Sequence, residues 1–83
     1  MPDSVRVLAF GSAGDALGAA ARDVPLPETP TLARLVAELV RQFPKLADAL
    51  PRLRFAVNQR YAGDETPLRA GDEVAIIPPV AGG

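Results

Sequence analysis

Thr31-Leu32-Ala33-Arg34-Leu35-Val36-Ala37-Glu38-Leu39-Val40-Arg41-Gln42-Phe43-Pro44 is the stretch on which the architecture turns. Leu32, Leu35, Val36, Leu39, Val40 and Phe43 recur at i, i+3, i+4, i+7, i+8 and i+11. That spacing lines them along one face of a helix. Arg34, Glu38, Arg41 and Gln42 fall off the stripe. Thr31 is the expected N-cap, because its hydroxyl can accept from a free amide of the first turn. Pro44 is the expected stop: it disfavours helical geometry at Phe43 and has no N–H to donate. Lys45 to Leu50 is read as one more helical turn before Pro51.

A single apolar stripe needs an apolar surface to lie on, and the flanks supply strands. Val5-Arg6-Val7-Leu8-Ala9-Phe10 reads as the first strand, bounded by the breakers Gly11-Ser12-Ala13-Gly14. Asp15 to Ala21 is read as a short helical turn. Arg22-Asp23-Val24-Pro25-Leu26-Pro27 is a second strand at a sheet edge, since its prolines remove ladder donors. After the helix come a strand at Leu53–Asn58, a turn at Asn58-Gln59-Arg60 and a short extended piece at Tyr61. The polar loop Gly63-Asp64-Glu65-Thr66 and a turn at Leu68–Asp72 follow, with Gly71 able to take positive φ. Glu73-Val74-Ala75-Ile76-Ile77 is the last strand, and Pro78-Pro79 ends pairing.

The first two strands can form a hairpin, and the helix then crosses one face of a mixed sheet. The other face is left uncovered. This order predicts an α+β fold of the β-grasp, ubiquitin-like type. It occupies residues 1–77, with 78–83 as an extended, flexible C-terminal Gly-Gly tail.

The chain has 83 residues and neither cysteine nor histidine. A Cys/His metal site, a cysteine nucleophile, a histidine base and disulfides are therefore all excluded. Apolar residues make up 48% and net charge is −1, which suits a folded globule. No block of like charge points to nucleic acid or to a membrane surface. No apolar run approaches the ~20 residues of a membrane span. The start Met1-Pro2-Asp3-Ser4 shows no export signal, so the cytosol is the expected compartment. Asp64-Glu65 and Asp72-Glu73 sit beside turn signals and read as solvated turn acids. Gly11-Ser12-Ala13-Gly14 lacks the Lys-Ser/Thr ending of a phosphate loop. No cofactor is expected on this chain, and a self-sufficient enzyme is not expected.

The ending is the anomaly. Pro78-Pro79 holds the chain extended, and Gly82 and Gly83 carry no side chains. Six residues from Pro78 can reach about 20 Å, thin enough to enter a narrow channel in a partner. The α-carboxylate of Gly83 would then be a group that can be activated as an acyl-adenylate. The competing reading is a frayed glycine end. A second signal lies in the strand faces. If Val5, Val7, Val74 and Ile76 point at the helix, alternation puts Leu8, Phe10, Ala75 and Ile77 on the open face. Such a patch suits a protein–protein interface; the competing reading tucks Leu8 or Phe10 into a satellite core.

Gly71-Asp72-Glu73-Val74-Ala75-Ile76-Ile77-Pro78-Pro79-Val80-Ala81-Gly82-Gly83 closely resembles the ending of the small subunits of molybdopterin synthase, the MoaD type of the ThiS-MoaD family. The resemblance extends to Val5–Gly11, Thr31–Leu35 and Ala56-Val57-Asn58-Gln59. It implies a sulfur carrier. An E1-like adenylyltransferase would use ATP to adenylate Gly83, and a sulfur-transferring protein would supply the sulfur of a thiocarboxylate. The tail, Pro78, Pro79, Val80, Ala81 and Gly82 leading to Gly83, would enter the large synthase subunit. That subunit would hold the catalytic residues and make the dithiolene of molybdopterin from a pyranopterin precursor. The assembly would be a heterotetramer. Phe10, Tyr61 and Ile77 fall where the family places apolar partner contacts. The family often has an Arg-Glu pair where this chain has Gly14-Asp15-Ala16, which leaves the conformation of that segment open. Other readings are a related carrier for thiazole, amino-acid or tRNA thiolation, a ubiquitin-like modifier of lysines, and an interaction domain with an inert tail.

Overall fold

The computed structural model of the chain describes residues 3–78. Strand β1 (Ser4–Ala9) leads into helix α1 (Ser12–Leu17) and strand β2 (Ala21–Pro25). Helix α2 (Leu32–Gln42), helix α3 (Lys45–Ala49) and one 3-10 turn (Leu50–Arg52) follow. Strands β3 (Arg54–Val57), β4 (Arg60–Tyr61) and β5 (Glu73–Ile77) complete the chain. The sheet runs β2-β1-β5-β3-β4. Its central pair β1 and β5 is parallel, and the other neighbours are antiparallel. The mixed sheet with one main helix on one face is the expected α+β arrangement.

The helix forms as its spacing demands. Thr31 is extended, and its hydroxyl accepts from the Arg34 amide at 3.3 Å. The amides of Leu32 and Ala33, which also lack partners within the helix, donate to the carbonyls of Thr66 and Asp64 at 2.9 and 3.0 Å. The loop after β4 thus closes the start of α2 with main-chain atoms, and Leu68 N–H fixes it by donating to Pro30 O at 2.6 Å. At the other end Phe43 leaves helical geometry immediately before Pro44.

Leu32, Leu35 and Leu39 are buried against Val5, Val7, Val74 and Ile76. Val36, Val40 and Phe43 flank them, half-buried. Leu17 from α1 and Leu46 from α3 belong to the same buried cluster. Each such side chain contributes roughly 1.5–3 kcal/mol relative to leaving it in water. No polar side chain is buried among the described residues.

Several boundaries differ from the sequence reading: β1 runs Ser4–Ala9 rather than Val5–Phe10, and β3 runs Arg54–Val57 rather than Leu53–Asn58. The first short helix spans Ser12–Leu17, not Asp15–Ala21. Gly18, at φ 80°, ends it as a left-handed cap, and its N–H donates to Gly14 O. The breaker cluster after β1 therefore opens a helix. The second strand ends at Pro25, two residues before its second proline. Pro51 does not merely end the third helix. It sits at the start of the 3-10 turn, where a missing donor costs little. Gly71 takes the anticipated positive φ, 88°.

Candidate functional site

The sheet register assembles the open face from four strands. Leu8 pairs with Ala75, Ala75 with Ala56, and Ala56 with Tyr61. These four residues form one row across β1, β5, β3 and β4. The two alanines make a low floor, because their side chains end at Cβ. Phe10 and Tyr61 rise beside it, 52% and 73% exposed. Ile77, beside Arg54 on β3, completes the apolar part. The result is a shallow concavity of about 370 Å³ with Gln59 and Glu73 on its polar side. Farther along β1, Arg6 meets Asp23 of β2 at 3.5 Å.

Phe10 does not tuck into a satellite core, and half-buried Leu8 lines the concavity. The three proposed contact residues Phe10, Tyr61 and Ile77 all border one feature. Tyr61 is the least obvious from sequence. Only the three pairings just described bring it to the row of Leu8.

Pro78 is the last described residue. It lies half-buried against the turn after β1. Gly11 there has φ 54° and ψ −130°, and a Cβ on it would stand 3.3 Å from Pro78 Cγ. Phe10 N–H also donates to Ile76 O at 3.2 Å. The chain therefore leaves β5 beside Phe10, at the rim of the open face. Pro79, Val80, Ala81, Gly82 and Gly83 lie outside the described residues.

The corner where β5 begins holds a network that single-residue patterns do not reveal. Asn58 and Gln59 link β3 to β4 with φ 51° and 72°. Two successive positive φ values are what a type I′ hairpin requires, and asparagine tolerates them well. Asn58 N–H donates to Glu73 O at 2.8 Å. Its side-chain oxygen accepts from Glu73 N–H at 3.0 Å, and its amide donates to Asp72 Oδ1 at 3.0 Å. Asp72 Oδ2 in turn accepts from Arg69 N–H at 2.8 Å. Asp72 is thus engaged as a turn acid. Sequence reading found the turn but not this clasp, whose partners are 14 and 15 residues apart.

Elsewhere the ionisable groups are peripheral. Glu38 accepts from Arg41 and Gln42 on the outer face of α2. Those hydrogen bonds, the one from Arg41 first, hold its carboxyl down to about 2. The same pairing raises Arg41. Arg22 stacks over the Phe43 ring at 5.0 Å. Among the described residues no cluster of acids has metal-ligand geometry, and no helix is long and apolar enough to cross a membrane. What this surface offers is an exposed apolar concavity beside the end of β5.

Known proteins share this fold. SAMP1 from Haloferax volcanii superimposes with a TM-score of 0.86 at 24% identity, over 96% of this chain and 99% of that one, a likeness of fold. A chain in the protein–protein complex of subunits 1 and 2 of the molybdopterin-converting factor from Helicobacter pylori matches with a TM-score of 0.69 at 26% identity. That match covers 96% of this chain and 99% of that one. The molybdopterin synthase sulfur carrier subunit of Mycobacterium tuberculosis is 41% identical over 80 residues, 95% of this chain and 96% of that protein. The human protein of the same name is 35% identical over 82 residues, 95% of this chain and 93% of its own length. The ThiS family pattern itself matches residues 7–83, so it takes in the open face, the clasp and the glycine ending together, and the chain belongs to the ThiS family.

Proposed function

We propose that this chain is the sulfur-carrier subunit of molybdopterin synthase. The observation that carries the reading is the 41% identity to the Mycobacterium tuberculosis carrier subunit along nearly all of both chains. The open face supports it, because a carrier needs a surface by which other proteins hold it.

The chemistry belongs to the main chain. The Gly83 carboxylate attacks the α-phosphorus of ATP on an E1-like adenylyltransferase, and pyrophosphate leaves. Sulfide-level sulfur supplied by a sulfur-transferring protein then attacks the acyl carbon and AMP leaves, giving a thiocarboxylate. The large synthase subunit holds the catalytic residues; there the thiocarboxylate sulfur bonds to a carbon of the pyranopterin precursor, and water cleaves the acyl–sulfur bond, returning Gly83 to a carboxylate. ATP is bound by the activating enzyme and not by this chain. Phe10, Tyr61 and Ile77 form the docking contact. Pro78 to Gly82 carry Gly83 away from the body, with no side chain on the last two residues to obstruct a channel. The chain acts as substrate and donor within a complex, and the cytosol is the compartment this chemistry assumes.

Intact mass after incubation with an E1-like enzyme, ATP and a sulfur source tests the reading. The expected product carries one oxygen-to-sulfur replacement, localised to Gly83. No such product, under conditions that charge a known carrier, overturns it. Adding the large subunit and precursor then separates molybdopterin synthesis from thiazole, amino-acid or tRNA thiolation. A chain extended past Gly83 and left unprocessed should be folded and inactive.

A further inference from the structure

The geometry points to Asn58 as a positioning residue for the docking face, an assignment that rests on the carrier reading above. Strand β4 has only two residues and lies at the sheet edge. A ladder that short does little to fix its own register. Yet it carries Tyr61, the most exposed large apolar side chain described. A docking contact made by one ring on a loose edge would cost ordering entropy on binding.

The clasp supplies the missing rigidity. Asn58 is the first of the two hairpin-turn residues; its main-chain N–H and side-chain oxygen bond to Glu73 at the start of β5, and its side-chain amide donates to Asp72 just before it. β5 cannot drift, because Val74 and Ile76 are fully buried. Asp72, the acceptor for the Asn58 side chain, is itself tied to Arg69. The hairpin is thereby bolted to the strand that supplies Ala75 and Ile77 to the same face. Asn58 does not line the concavity; it acts through Gln59 and Tyr61. Backbone pairing alone can be provided by any residue that accepts the turn. The two side-chain bonds require an amide, one donor and one acceptor, at this position.

An exchange of groups across the clasp tests this. Asn58→Asp keeps the acceptor for Glu73 N–H but sets a carboxylate against that of Asp72. Adding Asp72→Asn restores a donor: the new amide can donate to the carboxylate at position 58 while its oxygen accepts from Arg69 N–H. Affinity for the large synthase subunit is measured at a temperature where circular dichroism shows every variant folded. Asn58→Asp should weaken binding by about fivefold, within the range for coupled contacting residues, and the double exchange should recover most of it. In a Tyr61→Ala background the loss from Asn58→Asp should shrink to less than about twofold, because the ring being positioned is gone. Unchanged affinity for Asn58→Asp, failure of the double exchange to rescue, or a full loss that persists without Tyr61 would each overturn the assignment. If the unaltered chain does not bind the large subunit at all, the carrier reading has failed rather than the clasp.

Discussion

Gly11→Ala gives the sharpest test of how the body aims its ending. Gly11 has φ 54° and ψ −130°, far from the regions open to residues with a Cβ. Holding alanine there costs about 1–3 kcal/mol. The new methyl would also stand 3.3 Å from Pro78 Cγ, so the proline must give by a few tenths of an ångström. Stability for a domain of this size is of order 0.05–0.15 kcal/mol per residue, so a loss of about 2 kcal/mol is a large share. It corresponds to a fall in melting temperature of about 8–16 °C, at roughly 4–8 °C per kcal/mol. Gly18→Ala is the control: it shares a positive φ, 80°, but no atom lies within 4 Å of its Cβ. It should lose only about 1 kcal/mol.

The two parts of the Gly11 effect separate by assay. Backbone strain acts on the melting temperature; on the carrier reading, contact with Pro78 acts on delivery of Gly83 to the activating enzyme. A misplacement of 1 Å can cost about 10²-fold in rate, so a shift of a few tenths should slow thiocarboxylate formation by about threefold to tenfold. Removing the proline ring with Pro78→Ala should restore charging to the double variant while leaving its melting temperature low. Melting within about 2 °C of the unaltered protein refutes the conformational reasoning. Normal charging by a destabilised single variant refutes the aiming.

Phe10→Ala removes a ring that is 52% exposed, so it should cost about 1 kcal/mol of stability or less; it should weaken large-subunit binding by about tenfold or more if this ring anchors the contact. Equal affinity by calorimetry would remove Phe10 from the interface. Leu35→Ala empties a fully buried site beneath the sheet and should cost about 2–5 kcal/mol in chemical denaturation; a loss below 1 kcal/mol would contradict the helix-on-sheet core. The Glu38 carboxyl should titrate near 2 by NMR and rise part of the way toward the usual glutamate range in Arg41→Ala, where the hydrogen bond from Gln42 remains. Because its folded pKa is depressed, whatever it adds to stability is complete above the unfolded value near 4.3. That contribution is lost as pH falls through the folded value, and Arg41→Ala should reduce this part of the pH dependence.

Much of this fold was legible because its signals are local. The α2 stripe depends on spacing within one segment, and Thr31 and Pro44 mark its ends by their own chemistry. Alternation in β5 put Val74 and Ile76 inside and Ala75 and Ile77 outside, as found. What stayed hidden depends on partners distant in sequence. Asp64 and Thr66 cap α2 through main-chain carbonyls, which every residue has, so no side-chain motif records the cap. The Asn58 clasp joins residues separated by a whole loop. Tyr61 reaches the open face only once the pairings of β5 with β1, β5 with β3 and β3 with β4 are known. The glycines after β1 were ambiguous for another reason: glycine both interrupts helices and ends them, and Gly18 does the latter.

Strand β5 joins the open face to the ending. Its two inward residues are rooted in the core, with no measurable exposure of Val74 or Ile76. It is held on both sides, parallel to β1 and antiparallel to β3. Its outward residues Ala75 and Ile77 form part of the open face. The same strand then runs into Pro78, seated against Gly11. A partner that grips the face therefore grips the strand from which the ending departs. On the carrier reading, this reduces the search that a glycine-rich ending must make for a reaction centre, because its origin is fixed once docking is complete. The same ending attached to an edge strand or a loop would lose that registration. The chain has no cysteine or histidine with which to perform the transfer, and this arrangement asks it only to present a main-chain carboxylate from a rigid base.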